Sequence, residues 1–202
     1  MDGRNTDLVY NMSQLLKEPV GSTRKLSLET SQLALDEPSE AVAPDVTLLK
    51  ANHVHGGVKV TRLQDGVLVQ GDVEARVTVE CSRCLTEFAV PVEGTLEEQF
   101  LPTVDVYTGF PVERPSLEEY DQAFQIDANH LMDLGEPVRQ ALLVAMPMKP
   151  LCREDCAGIC LVCGANRNEV DCGHADDVED TRWSGLRELR IEDFPVGENS
   201  NN

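Results

Sequence analysis

The sequence predicts an α+β fold: a mostly antiparallel β-sheet, a helix packed on it, and a cysteine-rich C-terminal segment stapled by metal. Three observations carry this. Valines alternate with polar residues from Val67 to Val79, and Phe88, Val90 and Val92 continue the alternation. Such a period of two marks strands with one buried face. Val138, Ala141, Leu142 and Ala145 fall on one helical face just before Pro147. Five of the seven cysteines, Cys152, Cys156, Cys160, Cys163 and Cys172, crowd into one short stretch.

Taken in order, Met12 to Lys17 reads as a short helix ended by Pro19 and Gly21. Ser22 to Glu29 reads as a strand, and the acidic, proline-bearing residues 36–44 as a loop. Val46 to Val54 and Val58 to Leu63 read as two strands, with a turn at Gly56-Gly57 between them. Gln64-Asp65-Gly66 carries a strong hairpin signal. Gly71 marks a bend or bulge in the following strand, and Pro91 places the next one at an edge, because proline cannot donate to a ladder. Residues 101–126 read as a long surface loop. Asp127 is the expected N-cap of helical sequence reaching Met146, with a break or fresh start at Pro137. Trp183, Leu186 and Leu189 suggest a short terminal docking helix, and residues 195–202 a frayed end.

At 202 residues, 41% apolar and 4% aromatic, the chain can build a core of Val, Leu and Ala. The expected organisation is an α+β body over 1–150 and a metal-binding tail over 151–202. No leader-like apolar run follows Met1, and Ala141 to Met146 is too short to cross a bilayer, so a cytoplasmic protein is expected.

The net charge is −19, and every segment contributes, from residues 1–60 (8 acids, 6 bases) to residues 151–202 (12 acids, 5 bases). Proteins that hold nucleic acid by neutralising phosphates need a basic face. Arg182, Arg187 and Arg190 are the nearest approach to one, and as i, i+5 and i+8 neighbours they only partly share a helical face. The acidity admits two readings: an ordinary solvated surface, or a partner that is itself basic.

In a reducing compartment, CxxC spacing points to metal or redox chemistry rather than to a disulfide framework. Cys81-Ser82-Arg83-Cys84 lies between two strand patterns, where a turn can aim both sulfurs at one tetrahedral zinc ion. A redox dithiol is the other reading, but it favours a cysteine at a helix N-terminus. Seven cysteines and His174 make eight donors, enough for two four-ligand zinc sites. The preferred pairing is Cys81, Cys84, Cys152 and Cys156 for one, and Cys160, Cys163, Cys172 and His174 for the other. Cys172 and His174 can share an ion only if Gly173 bends the chain; otherwise His174 is a solvated histidine. His53, His55 and His130 are scattered and read as surface histidines, and no GxSxG, P-loop or Rossmann fingerprint occurs.

Several stretches together resemble the YceD family, the large ribosomal RNA subunit accumulation proteins. They are Asn11 to Leu16 with Pro19 and Gly21, Val77-Thr78-Val79-Glu80-Cys81-Ser82-Arg83-Cys84 with Phe88, Pro147-Met148-Lys149-Pro150-Leu151-Cys152, Asp155 to Cys160, Cys163-Gly164-Ala165-Asn166 with Asn168, and Asp180-x-Arg182-Trp183 with Leu186 and Leu189. Two positions depart from the family pattern: His174 stands where a second cysteine is usual, and Leu161 where a proline is common. The resemblance implies a role in processing or accumulation of large-subunit (23S) ribosomal RNA, with no catalytic residue. Joined to the acidity, it leads to the expectation of a non-enzymatic factor acting through a basic ribosomal protein or a pre-ribosomal large-subunit particle, with any rRNA contact indirect. The alternatives are a nuclease or thiol oxidoreductase using a cysteine site, and a zinc-dependent adaptor unrelated to ribosomes.

Overall fold

The computed structural model describes residues 6–35, 49–112 and 124–174. Its frame is a seven-stranded sheet in the order β1-β7-β6-β5-β4-β3-β2. The strands are β1 (Val9–Asn11), β2 (Thr23–Ala34), β3 (Lys50–Arg62), β4 (Val67–Glu80), β5 (Glu87–Pro102), β6 (Phe124–Ile126) and β7 (Leu131–Asp133). Helix α1 (Ser13–Lys17) follows β1, and α2 (Gly135–Ala145) follows β7. All neighbours are antiparallel except β5 and β6, which run parallel over Phe100–Pro102 and Phe124–Ile126.

The valine alternation does what its period requires. Val67, Val69, Val73, Ala75, Val77 and Val79 are all buried, while the residues between them on β4 face outward or are half-buried. Against this inner face pack Val138 and Leu142 of α2, along with Leu8, Met12, Leu15 and Leu16 from the N-terminal turns. Each such side chain is worth roughly 1.5–3 kcal/mol when fully buried. Ala145, expected on the same helical face, is exposed at the end of α2. Gly94 lets α2 cross β5 closely, because a Cβ there would lie 2.9 Å from the backbone of Ala141.

Several expectations are corrected by the sheet. Residues 50–62 form one strand, and Gly56-Gly57 is not a turn but its middle. A Cβ on Gly56 would fall 2.2 Å from the Asp72 carbonyl oxygen, and one on Gly71 2.2 Å from that of Gly57. These glycines are therefore places where the β3 and β4 backbones approach closely. The register runs unbroken through Gly71, and the irregularity lies instead in β3 between Asn52 and His55, where His53 takes a φ of 51°. Asp127 caps no helix. Its carboxylate accepts the N–H groups of Asn129 and Leu131 (both 2.8 Å), closing a turn into β7. The helix begins afresh at Gly135 with Pro137 in its first turn. Both ends of the expected 101–126 loop belong to the sheet, where Phe100 and Phe124 stack at 5.3 Å.

The hairpin at Asp65-Gly66 forms, with the Leu63 N–H donating to the Gly66 carbonyl (2.9 Å). β5 is not the edge strand expected from Pro91, since it lies inside the sheet between β4 and β6; Pro91 itself sits on a stretch with no second neighbour among the described residues. The 36–44 loop, the start of the strand expected from Val46, the helix of Trp183, Leu186 and Leu189, the arginines 182, 187 and 190, and the 195–202 end lie outside the described residues.

Candidate metal centres

β4 and β5 pair down to Glu80 opposite Glu87, so residues 81–86 must reverse the chain in one tight turn. The Cys81 N–H donates to the Thr86 carbonyl (3.0 Å), and the Leu85 N–H returns to the Cys81 carbonyl (2.9 Å). Leu85 takes the left-handed φ of 59° that this turn demands. The segment after α2 is laid against the tip. The Ser82 N–H donates to the Pro150 carbonyl (2.9 Å), and the Arg83 guanidinium to the carbonyls of Cys156 (3.0 Å) and Glu154 (3.3 Å).

Four thiols converge there. Cys81 lies 3.8 Å from Cys156, and Cys84 3.7 Å from Cys152, sulfur to sulfur. These are free thiols. Zinc–thiolate bonds of about 2.3 Å in a tetrahedron put the sulfurs about 3.8 Å apart, so the spacing fits such an ion without rearrangement. Cys81, Cys84 and Cys156 are buried; Cys152 is exposed as a residue, although its sulfur is turned into the group.

A second group holds Cys160, Cys163, Cys172 and His174; in each group the four donor atoms lie within 4.8 Å of one another. Its turn repeats the first. The Cys160 N–H donates to the Ala165 carbonyl and the Gly164 N–H to the Cys160 carbonyl, both at 2.8 Å. Gly164 supplies the left-handed residue at φ 73°. Gly173, at φ 67°, bends the chain between Cys172 and His174. Only Cys160 is buried in this group; Cys163 and His174 are exposed and Cys172 is half-buried.

The two turns interlock. The Ile159 N–H donates to the Arg83 carbonyl (3.1 Å), and the Asn166 amide to the Thr86 hydroxyl (3.3 Å). Asn168 is the central connector. Its Nδ2 donates to the Cys156 sulfur (3.3 Å) and to Asn166 Oδ1 (2.8 Å), while its Oδ1 accepts the Ala157 N–H (2.8 Å) and the Arg153 guanidinium (2.5 Å). Arg83, Asn166 and Asn168 were not read from the sequence as part of the site. Two amides two apart, directly after a CxxC, were the available signal, since groups that donate to metal-binding thiolates orient them.

The protonation pattern is that of thiols competing for few protons. A backbone hydrogen bond from Cys152 holds the Cys81 thiol down at about 6, against the cost of burial. Burial pushes Cys152 up to about 12. Hydrogen bonds from Thr86 lower Cys84, and backbone hydrogen bonds lower Cys160 and Cys172; at Cys163 the backbone hydrogen bond from Ala165 lowers the thiol, but the hydrogen bond with the Cys160 side chain and burial together outweigh it and raise it. Four sulfurs this close cannot all ionise alone, and a divalent cation removes that conflict. His53 and His55 sit at the β3 irregularity and His130 in the β6–β7 turn; none joins a metal-type group among the described residues.

The class defined by this geometry is a β-sheet protein whose hairpin tip and C-terminal segment meet in soft-ligand clusters. Residues 69–190 match the family described as large ribosomal RNA subunit accumulation protein YceD, and the chain belongs to that family. It is 30% identical over 138 residues to an uncharacterized protein of Mycobacterium leprae, covering 68% of this chain and 59% of the relative. It is 31% identical over 132 residues to an uncharacterized protein of Mycobacterium tuberculosis strain H37Rv, covering 65% and 59%. The alignment thus spans under two thirds of each relative's length. No solved structure matches the chain. Among the described residues no helix is long and apolar enough to cross a membrane.

Proposed function

We propose that this chain is a non-enzymatic factor in the processing and accumulation of large-subunit (23S) ribosomal RNA, held in shape by two structural zinc ions. Cys81, Cys84, Cys152 and Cys156 are the proposed ligands of one ion, and Cys160, Cys163, Cys172 and His174 of the other. The observation that carries the structural reading is the closure of both groups: four donors within 4.8 Å in each. Catalytic zinc keeps a position open for water, and a closed set does not. Cys81 follows a strand rather than opening a helix, which also argues against a redox dithiol. In this reading 151–202 is a metal-held tail on the 1–150 body, and the protein works in the cytoplasm.

The family name supplies the pathway, and the charge of −19 shapes the mode of action. So acidic a chain does not grip bare RNA by counterion release. It acts through a basic ribosomal protein or a precursor particle that exposes one. The test is affinity purification of the tagged protein from its own cells, with and without ribonuclease. Enrichment of large-subunit rRNA or its precursors is expected, with basic protein partners that survive ribonuclease. Absence of ribosomal material from growing cells overturns the ribosomal role, and sub-micromolar binding to protein-free rRNA at physiological salt overturns the indirect mode.

A further inference from the structure

We propose that the open edge of β5, with the groove between it and α2, binds an extended basic segment of a partner protein by adding it to the sheet as a strand. The inference rests on the reading above that the partner is basic, and names the surface that takes it. β5 pairs with β4 along its length from Glu87 to Phe100, but on its other side only Phe100–Pro102 are paired, by β6. Among the described residues, Glu87 to Gln99 therefore form an unpaired edge.

The direction of the free groups follows from Pro91. It has no N–H and stands opposite Arg76, within the pairing, so its position is one whose backbone groups point away from β4. Residues two apart share that direction. The N–H and C=O groups of Glu93, Thr95 and Glu97 thus face the open side, and Pro91 limits pairing at the other end.

A groove of about 440 Å³ runs beside this edge, lined by Leu96, Pro137, Ala141 and Val144 with Glu93 and Glu98. Val144 is 87% exposed, an apolar side chain left in the open on the helix wall. Among the described residues no lysine, arginine or histidine lines the groove. β4 and β5 together carry Asp72, Glu74, Glu80, Glu87, Glu93, Glu97 and Glu98 against the single cation Arg76. A second copy of this edge would bring like charges face to face, which disfavours self-pairing. A basic strand meets complementary charge. Its side chains must alternate: one set lies over the outer face beside Glu93 and Glu97 and is basic, the other enters the groove and is small and apolar.

The probe is a labelled ten-residue peptide alternating lysine and valine, with one version N-methylated at the lysines and another at the valines, titrated against the full chain. An added strand turns one set of its N–H groups to β5, so one methylated peptide is expected to bind at least ~10-fold more weakly while the other is unaffected. Thr95→Pro removes one outward donor and is expected to weaken the unmodified peptide by a similar factor. No binding of the unmodified peptide, or equal binding of all three, overturns the proposal without reliance on any variant. Used as baits in cells, the wild type and Thr95→Pro separate the two readings. Large-subunit material on both overturns the edge as the docking surface and leaves the ribosomal role standing. Material on neither overturns the ribosomal role, and material on the wild type alone supports both.

Discussion

The turn at 81–86 and the turn at 160–165 have the same two backbone hydrogen bonds and differ in what surrounds them. The first ends the two longest strands of the sheet, and both of its thiols are buried. The second has one buried and one exposed thiol, and is joined to the rest through the first. At the left-handed position the first turn carries Leu85 and the second Gly164. A non-glycine residue there costs about 1–2 kcal/mol, and such strain persists only where the surroundings over-determine the conformation. The long β4–β5 ladder holds the first turn in place; the second relies on glycine because little else holds it.

The sharpest way to break this comparison is to remove one thiol from each cluster. Cys81→Ser is expected to cost more than about 4 kcal/mol and to loosen both the hairpin tip and residues 150–156, because it strips a proposed ligand from a buried group that joins distant segments. Cys163→Ser is expected to cost less than half as much. Thermal denaturation with zinc analysis reads both, and each variant is expected to retain one tightly held zinc where two are expected in the wild type. Equal losses of stability would mean that the exposed cluster matters as much to the fold as the buried one.

Asn168→Ala tests the bridge between the clusters. It deletes the donor to the Cys156 sulfur and the acceptor of the Ala157 N–H. The expected loss is about 2 kcal/mol, with chelator removing the first zinc faster than from the wild type. Chelation kinetics identical to the wild type would leave Asn168 without a role at the metal.

The left-handed positions come next in size. Gly164→Ala should destabilise by about 1 kcal/mol through backbone strain alone. The space around that glycine is open, with nothing within 4 Å of a Cβ. Leu85→Gly should fall within about 1 kcal/mol of neutral, since relief of strain offsets the entropy of the unfolded glycine. Urea unfolding measures both, and a large loss in Leu85→Gly would show that its exposed side chain makes a contact that matters.

The smallest expected effect is that of His174→Ala. It should leave the melting temperature unchanged and weaken only the second zinc, as seen in competition with a chromophoric chelator. A second zinc bound as tightly as before would show His174 to be a solvated histidine.

Much of this was legible in the residues. The period-two valines of β4, the Asp65-Gly66 turn and the helix before Pro147 depend on near neighbours, and near neighbours are what a sequence displays. The readings that failed were those in which one pattern serves two structures. Gly56-Gly57 suits a turn as well as a close crossing of strands, and only the approach of Asp72 and Gly57 carbonyls decides between them. Asp127 suits a helix cap as well as a hairpin turn, and the pairing of β7 with β1 takes its following residues into the sheet. β6 and β7, at three residues each, are too short to show a period at all.

The cysteine groups divide along the same line. The sequence by itself determined the CxxC spacings, the glycines that let the chain turn beside a sulfur, and the acidity that bears on the choice of partner. The tertiary structure alone decided which sulfurs stand 3.8 Å apart across 75 residues of chain, that Asn168 reaches Cys156, and that one edge of β5 is left open beside α2. The physical reason is range: turn geometry and side-chain period are set by bonds within a few residues, whereas the meeting of distant segments depends on how the sheet and its helix pack as a whole.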